Sequence, residues 1–275
     1  MPFVKPMLAS PLPVGFVPTG GDWYAEEKFD GHRLLLEVSS VRMSLLHDKT
    51  VRAWSRDGLD RLLPTHVTDA ASLLPDGLYD GELYVPGKRS YGVTARVNVA
   101  ALRFVMFDVL RVLGQDTTGM PYTERRKAMD LAVKHTFGVP GVVLSESFPV
   151  RTIEDVTRLA EGVWRQDGEG LILKSGSSTY APGKRSKAWV KVKAVRSATL
   201  TVTGFFRGKL GECSVTSLVD SDGNETTVKT KNTEVRESIA AKPSAYVGRR
   251  LLIEYQERTP DGGYRHGMWD RWEDE

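Results

Sequence analysis

Short β-rich runs separated by turn sequences fill the region from residue 23 to residue 110, and they restrict the possible folds more than any other feature. The turns HDKT, SRDG, PDG and PGKRS interrupt the apolar runs. Gly, Pro, Asn, Asp and Ser supply the backbone conformations of tight turns, whereas β-branched and aromatic residues suit a pleated, half-buried surface. The pattern therefore predicts antiparallel sheet in this region.

Two later segments have helical spacing. They are 123–135 (TERRKAMDLAVKH) and 152–166 (TIEDVTRLAEGVWRQ), and each begins with a threonine whose hydroxyl is suited to cap a helix N-terminus. The second ends before the glycines Gly168 and Gly170. Residues 1–20 are rich in Pro and Gly, so we expect an extended arm rather than an element of its own. These patterns predict an α+β domain in which a few helices cover a twisted sheet.

A second run of short strands begins near residue 195. It comprises TLTVTGFFRG, CSVTSLVD, ETTVKT and RRLLIEYQER, with the turns SDGN and PDGG between strands and one helical insert, EVRESIAAKP. About five strands in such a stretch fit a small β-barrel, and they fit a β-sandwich almost as well. We place the boundary at 194–195, which gives domains 1–194 and 195–275.

Composition permits a nucleic-acid partner without requiring one. Hydrophobic residues make up 40% and charged residues 27% of the 275 residues, and the net charge is only +3, so any phosphate-binding surface must come from local clusters of Lys and Arg. The single cysteine, Cys213, excludes an intrachain disulfide and indicates a reducing compartment. Prolines near the N-terminus and the lack of a long apolar stretch argue against a signal peptide, a transmembrane helix and a membrane partner.

The string EEKFDGHR, residues 26–33, carries the strongest chemical signal. Lys28 is a candidate nucleophile, Gly31 permits a turn or a close backbone approach, and Arg33 can bind a phosphate or a ribose. The apolar run LLLEV follows, so the string is predicted to join two strands and to present Lys28 at the edge of a pocket. The alternative is a surface turn in which Glu26 and Arg33 form a cross-strand ion pair.

Five further motifs follow in a fixed order: SRDG (55–58), DGELYV (80–85), FVMFDVL (104–110), EGLILK (169–174) and WVKVK (189–193). The ordered set resembles the nucleotidyltransferase superfamily of ATP-dependent DNA ligases, RNA ligases and mRNA capping enzymes. Within it, the chain most resembles the small two-domain ATP-dependent DNA ligases of bacterial or phage type. The resemblance implies an adenylation (nucleotidyltransferase) domain of antiparallel sheets with helices, followed by a small OB-type β-barrel.

The resemblance implies an enzyme that seals 5′-phosphate/3′-hydroxyl nicks in duplex DNA through a lysyl–AMP and a DNA-adenylate intermediate. ATP is then the cosubstrate, Mg²⁺ (or Mn²⁺) the cofactor and nicked duplex DNA the partner. We expect a monomer in the cytoplasm of a bacterial or phage-infected cell. An RNA ligase, a GTP-using capping guanylyltransferase and a non-catalytic protein that binds nicks or ends are the alternatives.

The same resemblance assigns roles around the nucleotide. Lys28 is the adenylated nucleophile, and its site must favour the neutral amine, because a protonated lysine cannot attack a phosphate. Glu26 matches the position that recognises adenine, and Arg33 matches the arginine that contacts the ribose or a phosphate. Phe107 matches the aromatic residue that stacks on the purine ring, although its apolar run is equally typical of a buried strand.

Two carboxylates and one arginine complete the polar set. Glu82 and Glu169 are expected to contact the nucleotide or Mg²⁺, which prefers hard oxygen ligands and retains several waters. Arg56, in SRDG, resembles the arginine that grips the 5′-phosphate of the nick, and a planar guanidinium suits bidentate phosphate contact. Read alone, each of the two glutamates is simply a Glu near a Gly turn, for which a solvated surface position is the default.

Three lysines match family lysines that contact the AMP phosphate or the triphosphate: Lys174, Lys191 and Lys193. Strand alternation in WVKVK places Lys191 and Lys193 on one face and both valines on the other. Two neighbouring cations repel each other unless an anion lies between them, so this face is predicted to be a phosphate site.

The last family motif is a C-terminal tail that closes over the pyrophosphate. Its candidate is 264–275 (YRHGMWDRWEDE), in which Arg265, Arg271 and Asp274 are plausible matches. Glu273 stands where many relatives carry a second arginine, which is a departure from the pattern. We expect Arg271 to orient the leaving pyrophosphate.

Overall fold

The computed structural model describes residues 3–13, 15–18, 22–43, 46–87, 93, 96–136, 138–194, 196–258, 262–265 and 267–273. The chain divides into two compact units, Met1–Val192 and Lys193–Glu275. The sequence places a domain boundary at 194–195, and the two domains 1–194 and 195–275 remain a prediction. None of the helices in the described ranges is long and apolar enough to cross a membrane.

The first unit is built mainly from strands. They are β1 (Leu8–Pro11), β2 (Trp23–Glu27), β3 (His32–Met43), β4 (Leu46–Ser55), β5 (Gly77–Tyr84), β6 (Arg103–Val112), β7 (Gln115–Asp116), β8 (Val142–Leu144), β9 (Ser147–Val150), β10 (Gly170–Ser175) and β11 (Arg185–Lys193).

These strands form two sheets. One has the order β1-β11-β10-β2-β9, and the other has the order β4-β3-β5-β6-β7 with β8 beside β6. The pairs around the candidate nucleophile, β2 with β10 and β3 with β5, are antiparallel, whereas β1 with β11 and β6 with β8 are parallel. The prediction of antiparallel sheet between residues 23 and 110 is confirmed.

Strand β3 is buried on both faces and shows how the layers pack. Leu34 and Leu36 belong to the core beneath the helices, whereas Leu35 belongs to a second cluster with Trp189 of β11. Because successive side chains of a strand point to opposite faces, the second cluster lies between the two sheets. Phe107 packs against this cluster.

The helices of the first unit are α1 (Thr65–Ser72), α2 (Tyr122–Val133) and α3 (Ile153–Arg165), with 3₁₀ turns at Arg96–Ala101 and Lys134–Thr136. Helix α3 confirms the prediction for 152–166: the Thr152 side chain accepts a hydrogen bond from the Asp155 amide in a capping box. Helix α2 is also confirmed, but the capping threonine is wrong, since Pro121 occupies the N-cap. Helix α1 was not predicted, because it is short and follows Pro64 without a capping side chain.

The N-terminal segment differs from the predicted arm. Residues Leu8–Pro11 form β1, which pairs in parallel with β11 and extends the first sheet. Met7 just before it is fully buried, and its backbone N–H donates to the Tyr180 hydroxyl at 3.0 Å. Pairing of this kind depends on a strand that comes much later in the chain, so local composition cannot reveal it.

The second unit contains a closed barrel with the strand order β12-β13-β14-β18-β15. A closed barrel, and not a β-sandwich, is therefore the architecture of this unit. Its strands are β12 (Arg196–Gly208), β13 (Gly211–Val219), β14 (Glu225–Lys229), β15 (Arg250–Tyr255) and β18 (Met268–Trp272), with a small hairpin of β16 (Glu257–Arg258) and β17 (Tyr264–Arg265).

One helix and one unexpected strand complete the barrel. Helix α4 (Thr233–Ala241) confirms the helical insert, is capped by Asn232, and is followed by a 3₁₀ turn at Pro243–Ala245. The segment predicted as a tail supplies β18, which pairs with β14 and β15. Trp272 anchors it, because its ring is buried in the barrel core and stacks on Tyr246.

Candidate active site

The candidate nucleophile lies on a short connection between β2 and β3, as predicted. The Lys28 backbone N–H donates to the Gly170 carbonyl at 2.8 Å, which ties the connection to the start of β10. Gly31 packs so closely on β5 that a Cβ atom there would overlap the Leu83 carbonyl oxygen. A residue without a side chain is therefore required at this close approach.

Lys28 and Glu169 form an ion pair. The Lys28 Nζ lies 2.5 Å from the Glu169 Oε2, and their side chains are 24% and 15% exposed. Glu169 directly precedes β10, so the tie between Lys28 and Gly170 brings the two side chains together. The sequence assigned both residues to the site, and the structure places them in contact.

Glu82 lies opposite Arg33 in the register of β5 and β3. Its Oε1 accepts a hydrogen bond from the Gly31 N–H at 3.2 Å. Burial raises the pKa of Glu82 to about 8, even though the nearby charges of Arg33 and Lys28 lower it. At neutral pH this carboxyl group therefore favours its protonated form until a further positive charge approaches.

Arg33 is held by a buried acidic partner. Its guanidinium makes a bidentate pair with Asp80, with Nε–Oδ1 at 2.9 Å and Nη2–Oδ2 at 2.6 Å, and the Tyr180 hydroxyl donates to Asp80 at 2.6 Å. Burial opposes the charge, yet the Asp80 carboxylate raises the pKa of Arg33. The guanidinium carbon also lies 5.3 Å from the centre of the Phe107 ring.

Glu26 is buried at the end of β2, with only 2% of its surface exposed. It accepts hydrogen bonds from the Tyr122 hydroxyl and, at 2.7 Å, from Ser145 Oγ, and it pairs with Lys174 Nζ at 3.0 Å. The alternative of a surface ion pair between Glu26 and Arg33 is therefore wrong. Sequence reasoning missed Tyr122 and Ser145, because no local motif links them to Glu26.

Phe107 is half-buried on β6, although the residues on either side of it are fully buried. Its backbone carbonyl accepts a hydrogen bond from Lys174 Nζ at 2.6 Å. The ring packs edge-on against Trp189, with centroids 6.2 Å apart. Because the residue is only half-buried, part of the ring remains accessible, and an aromatic ring is a surface on which a flat ligand can stack.

The lysines of WVKVK alternate as predicted. Val190 and Val192 are buried, whereas Lys191 and Lys193 are half-buried. Lys193 belongs to the second unit, where its Nζ donates to Gln256 Oε1 at 3.3 Å. A phosphate between Lys191 and Lys193 remains a prediction.

The remaining predicted residues lie on exposed surface. The Arg56 side chain, in the turn after β4, is 61% exposed and lies 3.8 Å from Asp57. Arg271 is an exposed residue of β18, 3.5 Å from Asp270. Asp274 lies outside the described residues. Arg271 therefore sits on a barrel strand and not on a free tail.

Two carboxylates close to Lys28 are candidate ligands of a divalent cation. Within the described ranges, no group of three or more His, Cys, Asp or Glu side chains converges as a metal cage. Glu169 touches Lys28, and Glu82 lies close enough for the Lys28 charge to lower its pKa. Two hard oxygen donors of this kind fit Mg²⁺, which binds through one or two carboxylates, waters and substrate phosphates.

Known proteins resemble this chain in both sequence and structure. The family model described as ATP dependent DNA ligase domain matches residues 6–193, which is more than half of the chain. DNA ligase C2 of Mycolicibacterium smegmatis is 29% identical, over 98% of this chain and 74% of its own length. The chain belongs to the ATP-dependent DNA ligase family.

Other relatives are longer than this chain or share only its fold. The chain spans 35% of the bifunctional non-homologous end joining protein LigD of Bacillus subtilis, to which it is 27% identical, and 36% of a Thermococcus fumicolans DNA ligase. A solved structure from a study of Lig E DNA ligases has a TM-score of 0.74 at 20% identity, covering 98% of this chain and 100% of that one. Mycobacterial DNA ligase D, solved with ATP, has a TM-score of 0.58 at 21% identity and covers 98% of this chain and 94% of its own.

Proposed function

We propose that the chain is an ATP-dependent DNA ligase that seals nicks in duplex DNA, with Lys28 as its adenylated nucleophile. The observation that best supports this function is the Lys28–Glu169 pair, which holds an amine beside a carboxylate at the edge of the candidate nucleotide site. Family membership over residues 6–193 supports the same reaction.

In the first step the Lys28 amine attacks the α-phosphate of ATP. A nitrogen–phosphorus bond forms, the bond from the α-phosphorus to the bridging oxygen breaks, and pyrophosphate leaves with that oxygen. The attacking amine must be neutral, and Glu169 Oε2, at 2.5 Å from Nζ, is within reach of the proton that has to leave. AMP then passes from Lys28 to the 5′-phosphate of the nick, and the 3′-hydroxyl displaces it to form the phosphodiester.

The candidate residues of the two units suit the parts of the nucleotide. Phe107 offers a ring face to the purine, Glu26 an acceptor for the adenine amine, and Arg33 a cation for the ribose or a phosphate. Lys191, Lys193 and Arg271 carry positive charge suited to the phosphates. The ammonium of Lys174 is enclosed by protein, so its predicted phosphate contact would require it to move.

A divalent cation is expected beside the phosphates. Glu169 and Glu82 would hold Mg²⁺ or Mn²⁺ together with waters and phosphate oxygens. When bound, the cation would neutralise the charge that develops on the transferring phosphoryl group. We assign it no further role.

DNA is the second substrate. The exposed guanidinium of Arg56 suits the 5′-phosphate of the nick, because it lies in a turn, is 61% exposed and is 3.8 Å from Asp57, beyond hydrogen-bond distance. The closed five-stranded barrel, with a helix between its third and fourth strands, supports an OB-type second domain. We expect the protein to act as a monomer.

The test is the intact mass of the protein after incubation with Mg²⁺ and either ATP or GTP, for the native sequence and for Lys28→Ala. We expect an AMP adduct that requires both ATP and Lys28. Nick sealing on DNA and on RNA substrates then identifies the polymer. An adduct that persists in Lys28→Ala contradicts the assignment of the nucleophile, and a GMP adduct points to a capping enzyme.

A matched control is Lys5→Ala, a lysine of the N-terminal segment to which we assign no role. This variant should form the adduct as the native protein does. If neither nucleotide labels the native protein, and its mass shows that it was not already adenylated, the proposed reaction is wrong.

A further inference from the structure

The carboxylate of Glu26 is bound by three donors from three parts of the first unit. Tyr122 belongs to α2, Ser145 lies between β8 and β9, and Lys174 belongs to β10. An ionised carboxylate can only accept hydrogen bonds, and a buried one is costly unless it is paired. Three donors therefore fix the orientation of Glu26.

Lys174 connects this carboxylate to the ring that is expected to stack on the purine. Its Nζ reaches Glu26 Oε1 at 3.0 Å and the Phe107 carbonyl at 2.6 Å. It also lies 4.5 Å from the centre of the Trp189 ring, and Lys174 is only 1% exposed. The position suits a residue that fixes two binding groups relative to each other better than one that contacts a phosphate directly.

The Tyr122 phenol is in the protonation state that this arrangement requires. Burial, together with the neighbouring Glu26, raises the pKa of Tyr122 well above its usual value, so the phenol keeps its proton. Burial lowers the pKa of Lys174, whereas Glu26 opposes that shift. The hydroxyl of Ser145 donates without titrating.

We propose that Tyr122, Ser145 and Lys174 are positioning residues that hold Glu26 as an oriented acceptor and thereby make the site select adenine over guanine. Adenine carries an amine at C6, which donates to a carboxylate, whereas guanine carries a carbonyl there, which a carboxylate repels. This inference rests on the proposed function, because it concerns the same nucleotide site.

The experiment compares ATP with GTP as the donor of the Lys28 adduct. The measured quantity is the ratio of kcat/KM for the two nucleotides. The variants are Tyr122→Phe and Ser145→Ala, each of which removes one hydroxyl and little volume. The matched control is Tyr79→Phe, which removes the hydroxyl of another buried tyrosine, bonded to the Pro75 carbonyl at 2.7 Å and outside the Glu26 cluster.

We expect Tyr122→Phe and Ser145→Ala each to lower the ATP/GTP ratio about tenfold, the usual effect of losing one hydrogen bond to a charged group. The ratio should fall because the KM for ATP rises, while the rate at saturating ATP changes little. Tyr79→Phe should leave the ratio unchanged. An unchanged ratio in both Tyr122→Phe and Ser145→Ala overturns the inference.

Lys174→Met separates the two roles that this lysine can have. A positioning role predicts a larger fall in the ATP/GTP ratio than either hydroxyl variant gives. A direct phosphate contact predicts equal losses with both nucleotides, because they share the same phosphates, and that outcome overturns the assignment of Lys174. Circular dichroism should first show that the variant is folded.

Glu26→Gln separates failure of this inference from failure of the proposed function. A glutamine amide can donate to the guanine carbonyl, so the ratio should fall in this variant. If it falls there but not in Tyr122→Phe or Ser145→Ala, Glu26 reads the base and the positioning role is wrong. If the native protein forms no adduct, the proposed reaction fails, and equilibrium binding of ATP and GTP to the same variants then decides the base preference.

Discussion

The two units of this protein differ most in what they bury. The first unit encloses charged side chains among its described residues, including Glu26, Asp80, Asp108, Arg125 and Lys174. In the described residues of the second unit, the polar residues that are buried as a whole carry hydroxyls, and the barrel core around them is apolar. The residues that carry these buried hydroxyls are Ser214, Thr216 and Thr230. The Asp220 side chain, which is 6% exposed, is paired with the partly exposed Arg258.

This difference separates two ways of building a protein interior. Buried charges are costly to desolvate and remain only where partners satisfy them, so they fix side chains in particular places. An apolar core stabilises a barrel without giving any polar group a defined direction. The first unit therefore has an interior suited to holding binding groups in place, whereas the interior of the barrel mainly holds the strands together.

The largest expected effect comes from breaking a buried pair in the first unit. Arg125 makes a bidentate pair with Asp108, at 2.7 and 2.9 Å, and both side chains are fully buried. Arg125→Met should lower the free energy of unfolding by about 3–5 kcal/mol, because Asp108 is left buried without its partner. Chemical denaturation measures this loss.

The barrel offers the matched control. Arg250 pairs with Glu273 at 2.5 Å, but both side chains are exposed. Arg250→Met should cost less than about 1 kcal/mol, since water solvates both partners. Equal losses of unfolding free energy in Arg125→Met and Arg250→Met would show that the burial of an ion pair does not determine its contribution to stability in these two units.

A change in pH should have a smaller effect on the stability of the first unit. Burial raises the pKa of Glu82 to about 8 from its usual value of 4.5, so between these two pH values the folded protein binds more protons than the unfolded chain. Stability of the metal-free protein should therefore fall by a few kcal/mol as the pH rises from about 4.5 to about 8. Glu82→Gln should flatten this slope and be more stable than the native sequence at pH 8.

The barrel should respond to pH with the opposite sign. Burial opposes the shift, but hydrogen bonds from Asn224, Arg258 and Tyr264 lower the pKa of Asp220 below its usual value of 3.8. Its contribution to stability is present above that value and is lost only in stronger acid. Asp220→Asn should consequently leave the slope between pH 4.5 and 8 unchanged, and a flattened slope in this variant would contradict the assignment to Glu82.

Loss of a helix cap should have a small effect on stability that is the same in both units. Thr152 caps α3 and Asn232 caps α4 through side-chain hydrogen bonds to backbone amides. Thr152→Ala and Asn232→Ala should each cost about 1 kcal/mol, because a cap depends on local geometry and not on the interior behind it. Thermal denaturation measures both losses, and a loss several times larger in one helix would show that tertiary packing contributes to its cap.

Local sequence patterns predicted those elements that depend on interactions between residues close together in the chain. The capping threonine of α3, the connection that carries Lys28 and the alternation of WVKVK all depend on neighbouring residues. Helix α1 was missed because it is short and lacks a capping side chain. The strand β18 was missed because its sequence was assigned to a tail by resemblance and not by its own aromatic residues.

The partners of the candidate site could not be predicted in the same way. Tyr122 and Ser145 lie 96 and 119 positions from Glu26, and Tyr180 lies 100 positions from Asp80. One sequence contains no signal for hydrogen bonds over such separations. The order of motifs indicates which residues meet near the nucleotide, whereas the fold shows which side chains hold them in place.

The parallel pairing of β1 with β11 also determines how late during synthesis the first sheet can be completed. Ser10 is hydrogen-bonded to Ser186, 176 positions later in the chain. At the usual speed of translation the ribosome needs on the order of ten seconds or more to cover that distance. Lys28 likewise cannot pair with Glu169 until the ribosome has synthesised the 141 positions that separate them. A nascent chain therefore cannot assemble the site around its nucleophile until nearly all of the first unit has left the ribosome.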